Sequence, residues 1–134
     1  MKKLLIFAPT LLFLLSCSND SSNTTSNSSI ALHPPIWTHG TWTYETGGQQ
    51  MGLKFSPDNV CNVTNSNANC YKEALALYEN TQATTSVTEE ISETEYKVVI
   101  NISGGIVTFD VAKVSTDKIN WKINSNSSVI LNRQ

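Results

Sequence analysis

Charge is scarce in this sequence: Asp, Glu, Lys and Arg together make up 15% of the 134 residues, with 11 acidic against 9 basic. Nucleic-acid binding rewards clustered Lys and Arg, so composition argues against that class of partner. Histidine is nearly absent, represented by His33 and His39. Neither has a Ser or Cys nucleophile in recognisable context, and G-x-S-x-G does not occur. Cysteine is limited to Cys17, Cys61 and Cys70. With no second Cys pair and no nearby His, a zinc site lacks its remaining ligands. Long apolar runs are missing too, except for Leu4 to Leu15, broken by Pro9 and Thr10. That run of about 12 residues falls short of the roughly 20 needed to cross a bilayer as a helix.

What the N-terminus does contain is the layout of an export signal: Lys2 and Lys3, then the apolar run, then Leu14-Leu15-Ser16-Cys17. This ending resembles the lipobox of bacterial lipoprotein signal peptides, with Leu three before the cysteine and a small residue directly before it. The resemblance implies that residues 1–16 are removed and that Cys17 takes a thioether-linked diacylglycerol. A further acyl chain, palmitate among the candidates, would make the anchor stable, since one chain alone holds weakly. Ser18 follows the cysteine where many inner-membrane-retained lipoproteins have Asp. The expected location is the cell envelope, lipid-anchored at the outer membrane. Without Lys2 and Lys3 the remaining chain has seven basic against eleven acidic residues, a net charge of −4.

With Cys17 committed to lipid, Cys61 and Cys70 are left as an even pair in an oxidising compartment, which reads as a disulfide. Two reduced, buried thiols are the alternative. Ser18 to Ser29 contains only Ser, Asn, Asp and Thr. Such a stretch cannot bury enough apolar surface to order itself. Residues 17–35 therefore read as a flexible tether stiffened at its end by Pro34-Pro35, and 36–134 as the folded domain.

From Ile36 onward the pattern is mostly beta. Met51, Leu53 and Phe55 alternate with polar or small residues, as do Tyr96, Val98, Ile100 and Ile102; Val107, Phe109 and Val111; and Ile119, Trp121 and Ile123. Turn chemistry separates them at Gly47-Gly48, Pro57-Asp58-Asn59, Gly104-Gly105, Thr116-Asp117 and Ser125 to Ser127. Asn62 to Asn69 reads as a polar loop bracketed by the two cysteines. Tyr71, Ala74, Leu75 and Tyr78 share one helical face, so a short helix is expected over 71–80 with Asn69 as its cap. The last strand is expected over Val129 to Asn132. The fold class is thus mainly β: an antiparallel up-and-down or flattened barrel of about eight short strands with one short helix.

Gly40-Thr41-Trp42 opens the first strand and Leu131-Asn132-Arg133 closes the last. This resembles the lipocalin-like (calycin) barrels, which begin with G-x-W and place an Arg near the closing end of the barrel. The short strand-rich body, Phe55-Ser56-Pro57-Asp58 and the C-terminal Arg are also similar to small lipocalin-like lipoproteins of Bacteroidetes. The resemblance implies that Gly40 allows close backbone approach, that Trp42 plugs the barrel floor and that Arg133 covers its indole by a cation–π contact. The chain departs from full lipocalins in its size and in having its helix between early strands.

The remaining candidates read as structure. Glu89, Glu90, Glu93 and Glu95 form an acidic cluster without the spacing of a calcium loop, and so a solvated face. Asp110 is expected to point outward, and His39 to be a surface or packing residue. Most of Trp37, Trp42, Trp121, Tyr44, Tyr71 and Tyr78 are expected in the core. No enzyme activity, metal or cofactor is expected. The expected function is a membrane-anchored, non-enzymatic binding domain for a small apolar ligand or a protein partner. Its site would be the barrel mouth, bounded by the Cys61–Cys70 loop and the 71–80 helix. The alternative is an inhibitor of a host or competitor hydrolase acting through an exposed loop. An apolar cavity would favour the small ligand, and a filled interior with a protruding disulfide loop the inhibitor. A cleft joining His39 to the 89–95 carboxylates would favour an enzyme.

Overall fold

Period-two alternation does most of the work in this fold, because each strand buries one face and leaves the other to solvent. The computed structural model describes residues 30–134; the leader, Cys17 and the stretch Ser18 to Ser29 lie outside the described residues. The strands are β1 (Gly40–Thr46), β2 (Gln49–Ser56), β3 (Asn59–Thr64), β4 (Asn67–Cys70), β5 (Thr85–Ile91), β6 (Glu95–Ile102), β7 (Gly105–Lys113), β8 (Lys118–Asn124) and β9 (Ser127–Arg133). One helix, α1 (Tyr71–Glu79), joins β4 to β5. All nine strands form one antiparallel sheet in the order β4-β3-β2-β1-β9-β8-β7-β6-β5. It is an up-and-down meander curled round so that its first and last strands pair in the middle of the sheet, at Trp42↔Arg133 and Thr43↔Asn132. It stays open between the edge strands β4 and β5. The result is a curled half-barrel, and α1 lies against β3 and β5 at the seam.

The concave face carries the core: Trp42, Leu53, Phe55, Val60, Val87, Tyr96, Val98, Ile100, Phe109, Val111, Ile119 and Leu131, each at most 2% exposed. Leu75 of α1 completes it. Each such side chain contributes roughly 1.5–3 kcal/mol by leaving water. Phe55–Tyr96 and Tyr71–Phe109 meet edge to face, at centroid distances of 5.9 and 5.2 Å.

Four expectations need correction. The polar loop expected over Asn62 to Asn69 is instead a hairpin, its residues belonging to the end of β3 and to β4, which brings the expected set of about eight strands to nine. β4 is nearly all exposed, so it carries no alternation to read. It is held instead by pairing with β3 from Cys61↔Cys70 to Thr64↔Asn67. Second, Asn69 does not cap α1, because it is still paired with Asn62 in the ladder. Cys70 is the N-cap and makes no side-chain cap bond. Asn59 of β3 does the capping from outside: its Oδ1 accepts the Lys72 backbone N–H at 2.9 Å and its Nδ2 donates to Glu73 at 2.9 Å. Third, the folded body begins before Ile36. Leu32 is 2% exposed within the core and Ile30 packs against it, so the end of the expected tether is a strap laid across the barrel. Fourth, the final strand runs Ser127–Arg133, wider than 129–132, because pairing with β8 carries it back to Ser127 and pairing with β1 carries it on to Arg133.

Candidate functional site

The floor of the half-barrel is built around Trp42. Its indole is fully buried and its Nε1 donates to the Thr38 carbonyl at 2.5 Å. The Arg133 guanidinium lies over the ring, 4.2 Å from its centroid. Arg133 also donates to three carbonyls: His39 at 2.7 Å, Thr116 at 3.1 Å and Trp37 at 3.3 Å. One side chain therefore ties the strap, the β7–β8 turn and the last strand to the indole. Gly40 makes room for it: its φ is +124° and a Cβ there would sit 3.0 Å from Arg133 Nη1. Gly52 was not singled out by the sequence. A Cβ on it would lie 1.9 Å from the Trp42 carbonyl oxygen, so β2 can cross β1 this closely only without a side chain.

On the rung that runs from Thr41 through Lys54, at the base of the β3–β4 hairpin, Cys61 and Cys70 are joined by a disulfide. Beyond it the turn at Asn65-Ser66 is exposed. Asn65 takes the left-handed conformation (φ 55°) that Asn tolerates better than most residues. Its backbone and side chain both hold Gln50: Asn65 N–H donates to the Gln50 carbonyl at 2.6 Å, and Gln50 N–H to Asn65 Oδ1 at 3.1 Å. The hairpin is thus a rigid exposed element, clamped at its base and braced at its tip.

The concave face is filled. Tyr44, Tyr71, Trp121, Val107 and Val129 are partly buried and packed against the core. Of the aromatics, Trp42 is wholly core, Trp37 also packs on it, and Tyr78 is 38% exposed. Open grooves occur on the outside: about 590 Å³ between the strap and α1, lined by Ile30, Leu32, Lys72, Leu75 and Glu79 among others; about 650 Å³ beside β7 and β8; and about 330 Å³ over Glu90, Lys97, Asp110 and Lys122. No protein-family model, curated protein or solved structure matches the chain.

The acidic cluster divides in two. Glu90 pairs with Lys97 at 3.3 Å and Glu95 with Lys122 at 3.0 Å; Asp110, pointing outward, also meets Lys122 at 3.3 Å. The hydrogen bond to Glu95 leads the causes that raise the Lys122 pKa. Glu93 is exposed. Glu89 turns inward, its side chain only 11% exposed. It accepts the Tyr96 hydroxyl at 2.6 Å and the His33 backbone N–H at 2.8 Å, and lies 3.0 Å from His33 Nδ1. Burial first, and then the Glu89 carboxylate, push the Tyr96 hydroxyl far above the usual tyrosine range. His39 does not join this group; its Nε2 contacts the Pro34 carbonyl at 2.9 Å. The histidine beside the carboxylates is His33, brought there by the strap. The strap itself had no alternation to mark it. Among the described residues no group of three or more His, Cys, Asp or Glu is placed to hold a metal ion, and no helix is long and apolar enough to cross a membrane.

Proposed function

We propose that this chain is an exported, lipid-anchored binding module that works without catalysis and meets a protein partner through its surface. The observation that carries the reading is the pairing of a filled concave face with a disulfide-clamped hairpin whose turn is exposed. A carrier of small apolar molecules needs a pocket of several hundred cubic ångströms enclosed by apolar walls. Here that space is occupied by Trp42, Phe55, Tyr96 and Phe109. Cys17 supplies the lipid, residues 1–16 the export signal and the Ser/Asn/Thr stretch the reach from an outer membrane. The Gly40–Trp42–Arg133 contact supports the calycin-like assignment of the domain. Inhibition of a hydrolase by the β3–β4 hairpin is the specific form of partner binding that this geometry favours, since inhibitors present rigid exposed loops to a cleft.

Two measurements test the reading. Labelled palmitate should enter the wild-type chain and not Cys17→Ser, which should leave the membrane fraction. Native mass spectrometry of the full chain, taken from the bacterial envelope in detergent, should show the lipidated polypeptide without further small-molecule mass after incubation with fatty acids. A retained fatty acid would overturn the surface-binding reading, and an unlabelled wild-type chain would overturn the anchor.

A further inference from the structure

Strand β7 is paired with β6 along its length, from Glu95↔Ala112 to Ile102↔Gly105. With β8 it pairs only at Val111↔Trp121, Ala112↔Asn120 and Lys113↔Ile119. Gly105 to Asp110 therefore have no strand on their β8 side. The cause lies in β8, whose register with β9 shifts between Lys122 and Asn124. An extra residue in one strand bends and twists it, and here the bend carries β8 away from β7. The sheet forks, and the fork opens into the groove of about 650 Å³ lined by Thr108 and Asp110 on one side and Asn120, Lys122 and Asn124 on the other. Two consecutive residues stand where the strands part. Among the described residues, Asn120 Oδ1 and Trp121 Nε1 are the buried side-chain polar atoms without a hydrogen-bond partner. Buried polar groups are nearly always paired, and of these two it is Asn120 Oδ1 that lines the fork; Trp121, one residue on, turns to the opposite face and packs on the core.

We propose that this fork is a binding site for an extended peptide segment of a partner protein, added as a strand along the free edge of β7. A strand edge offers N–H and C=O groups in alternation, and an extended peptide returns the complementary set. The segment advances about 3.4 Å per residue, so Gly105 to Asp110 match a stretch of about six residues. Ile106, on the same face of β7 as Thr108 and Asp110, is 68% exposed, and Ile123 across the fork 51%; they give alternate side chains of the segment apolar contacts. The Asp110–Lys122 pair closes the narrow end and sets where the added strand stops. A sugar chain fits less well, because no aromatic ring lines the groove for it to stack on. The site does not use the β3–β4 hairpin, so it stands apart from the reading above.

The experiment is a selection from displayed random short peptides on the full chain in detergent, followed by amide hydrogen exchange with the peptides obtained. Bound peptides should slow exchange at backbone amides between Ile106 and Asp110. Thr108→Trp, which fills the groove from an exposed position, should weaken them about tenfold or more while melting like the wild type. Thr88→Trp, exposed on β5, should leave binding unchanged. The proposal fails if no peptide is recovered, or if oligosaccharides rather than peptides protect these amides. It fails too if the peptides protect the β3–β4 hairpin, an outcome that would leave the protein-partner reading standing.

Discussion

Arg133 is the side chain with the most to lose. It covers an indole and satisfies three carbonyls that no other described side chain reaches. Arg133→Ala should cost about 2–3 kcal/mol in urea denaturation. Arg133→Lys should recover less than half of that, because an ammonium cannot reproduce the planar fork. Gly52→Ala should be worse: a methyl 1.9 Å from a backbone oxygen has no flexible neighbour to displace, and a loss of about 3 kcal/mol or more is expected. Tyr96 gives a pH signature. Its folded-state pKa is raised by burial and by Glu89, so the folded chain keeps a proton that the unfolded chain releases above the ordinary tyrosine value of about 10. Its contribution is present below pH 10 and lost as pH rises beyond it, with a slope of up to about 1.4 kcal/mol per pH unit. Tyr96→Phe should flatten the decline in urea midpoint between pH 9 and 11 relative to the wild type.

At the scale of elements, two local devices hold the side of the sheet where it stops. The disulfide clamps β3 to β4, and β4 has almost no burial of its own to fall back on. Cys61→Ser with Cys70→Ser should cost about 2–3 kcal/mol in the chain-entropy account. Amide exchange at residues 62–69 should rise first, ahead of β1 and β2. Asn59 links the same region to α1 by capping it. Asn59→Ala should cost about 1–2 kcal/mol and loosen α1, with Asn59→Asp recovering the backbone contact but placing a second carboxylate against Glu73. Both devices sit beside the open seam, where an edge strand without neighbours would otherwise fray.

Over the whole molecule, the governing fact is that the sheet curls without closing, and that the strap and α1 complete what pairing leaves open. Leu32 enters the core from the strap. Leu32→Ala should therefore destabilise the entire body by about 2–4 kcal/mol, and a chain beginning at Ile36 should be less stable than one beginning at Ile30 by at least as much in the same denaturation assay. The strap is also where the described body meets the Ser/Asn/Thr stretch that leads back to Cys17, so the proposed anchor and the core share one segment of chain.

The residues alone carried the β class, the turn positions, the helix and the identity of most core side chains, because alternation and turn chemistry are local properties that survive without coordinates. Trp121 and Ile119 could be placed on one face from spacing; Asn59 as a cap for α1 could not, since its partner is Lys72 and nothing local connects them. The cysteine pair was legible from count, two cysteines being left once Cys17 is set aside. The strand that carries Cys70 was not, because β4 is exposed on both faces and is held by its neighbour. Glu89 looked like its acidic neighbours until the inward face of β5 and the strap brought Tyr96 and His33 to it. The sheet order, the open seam, the filled interior and the β7–β8 fork belong to tertiary structure alone. They depend on which strands meet, for how many rungs, and where a single register shift sends β8, and those are contacts between residues far apart in the chain.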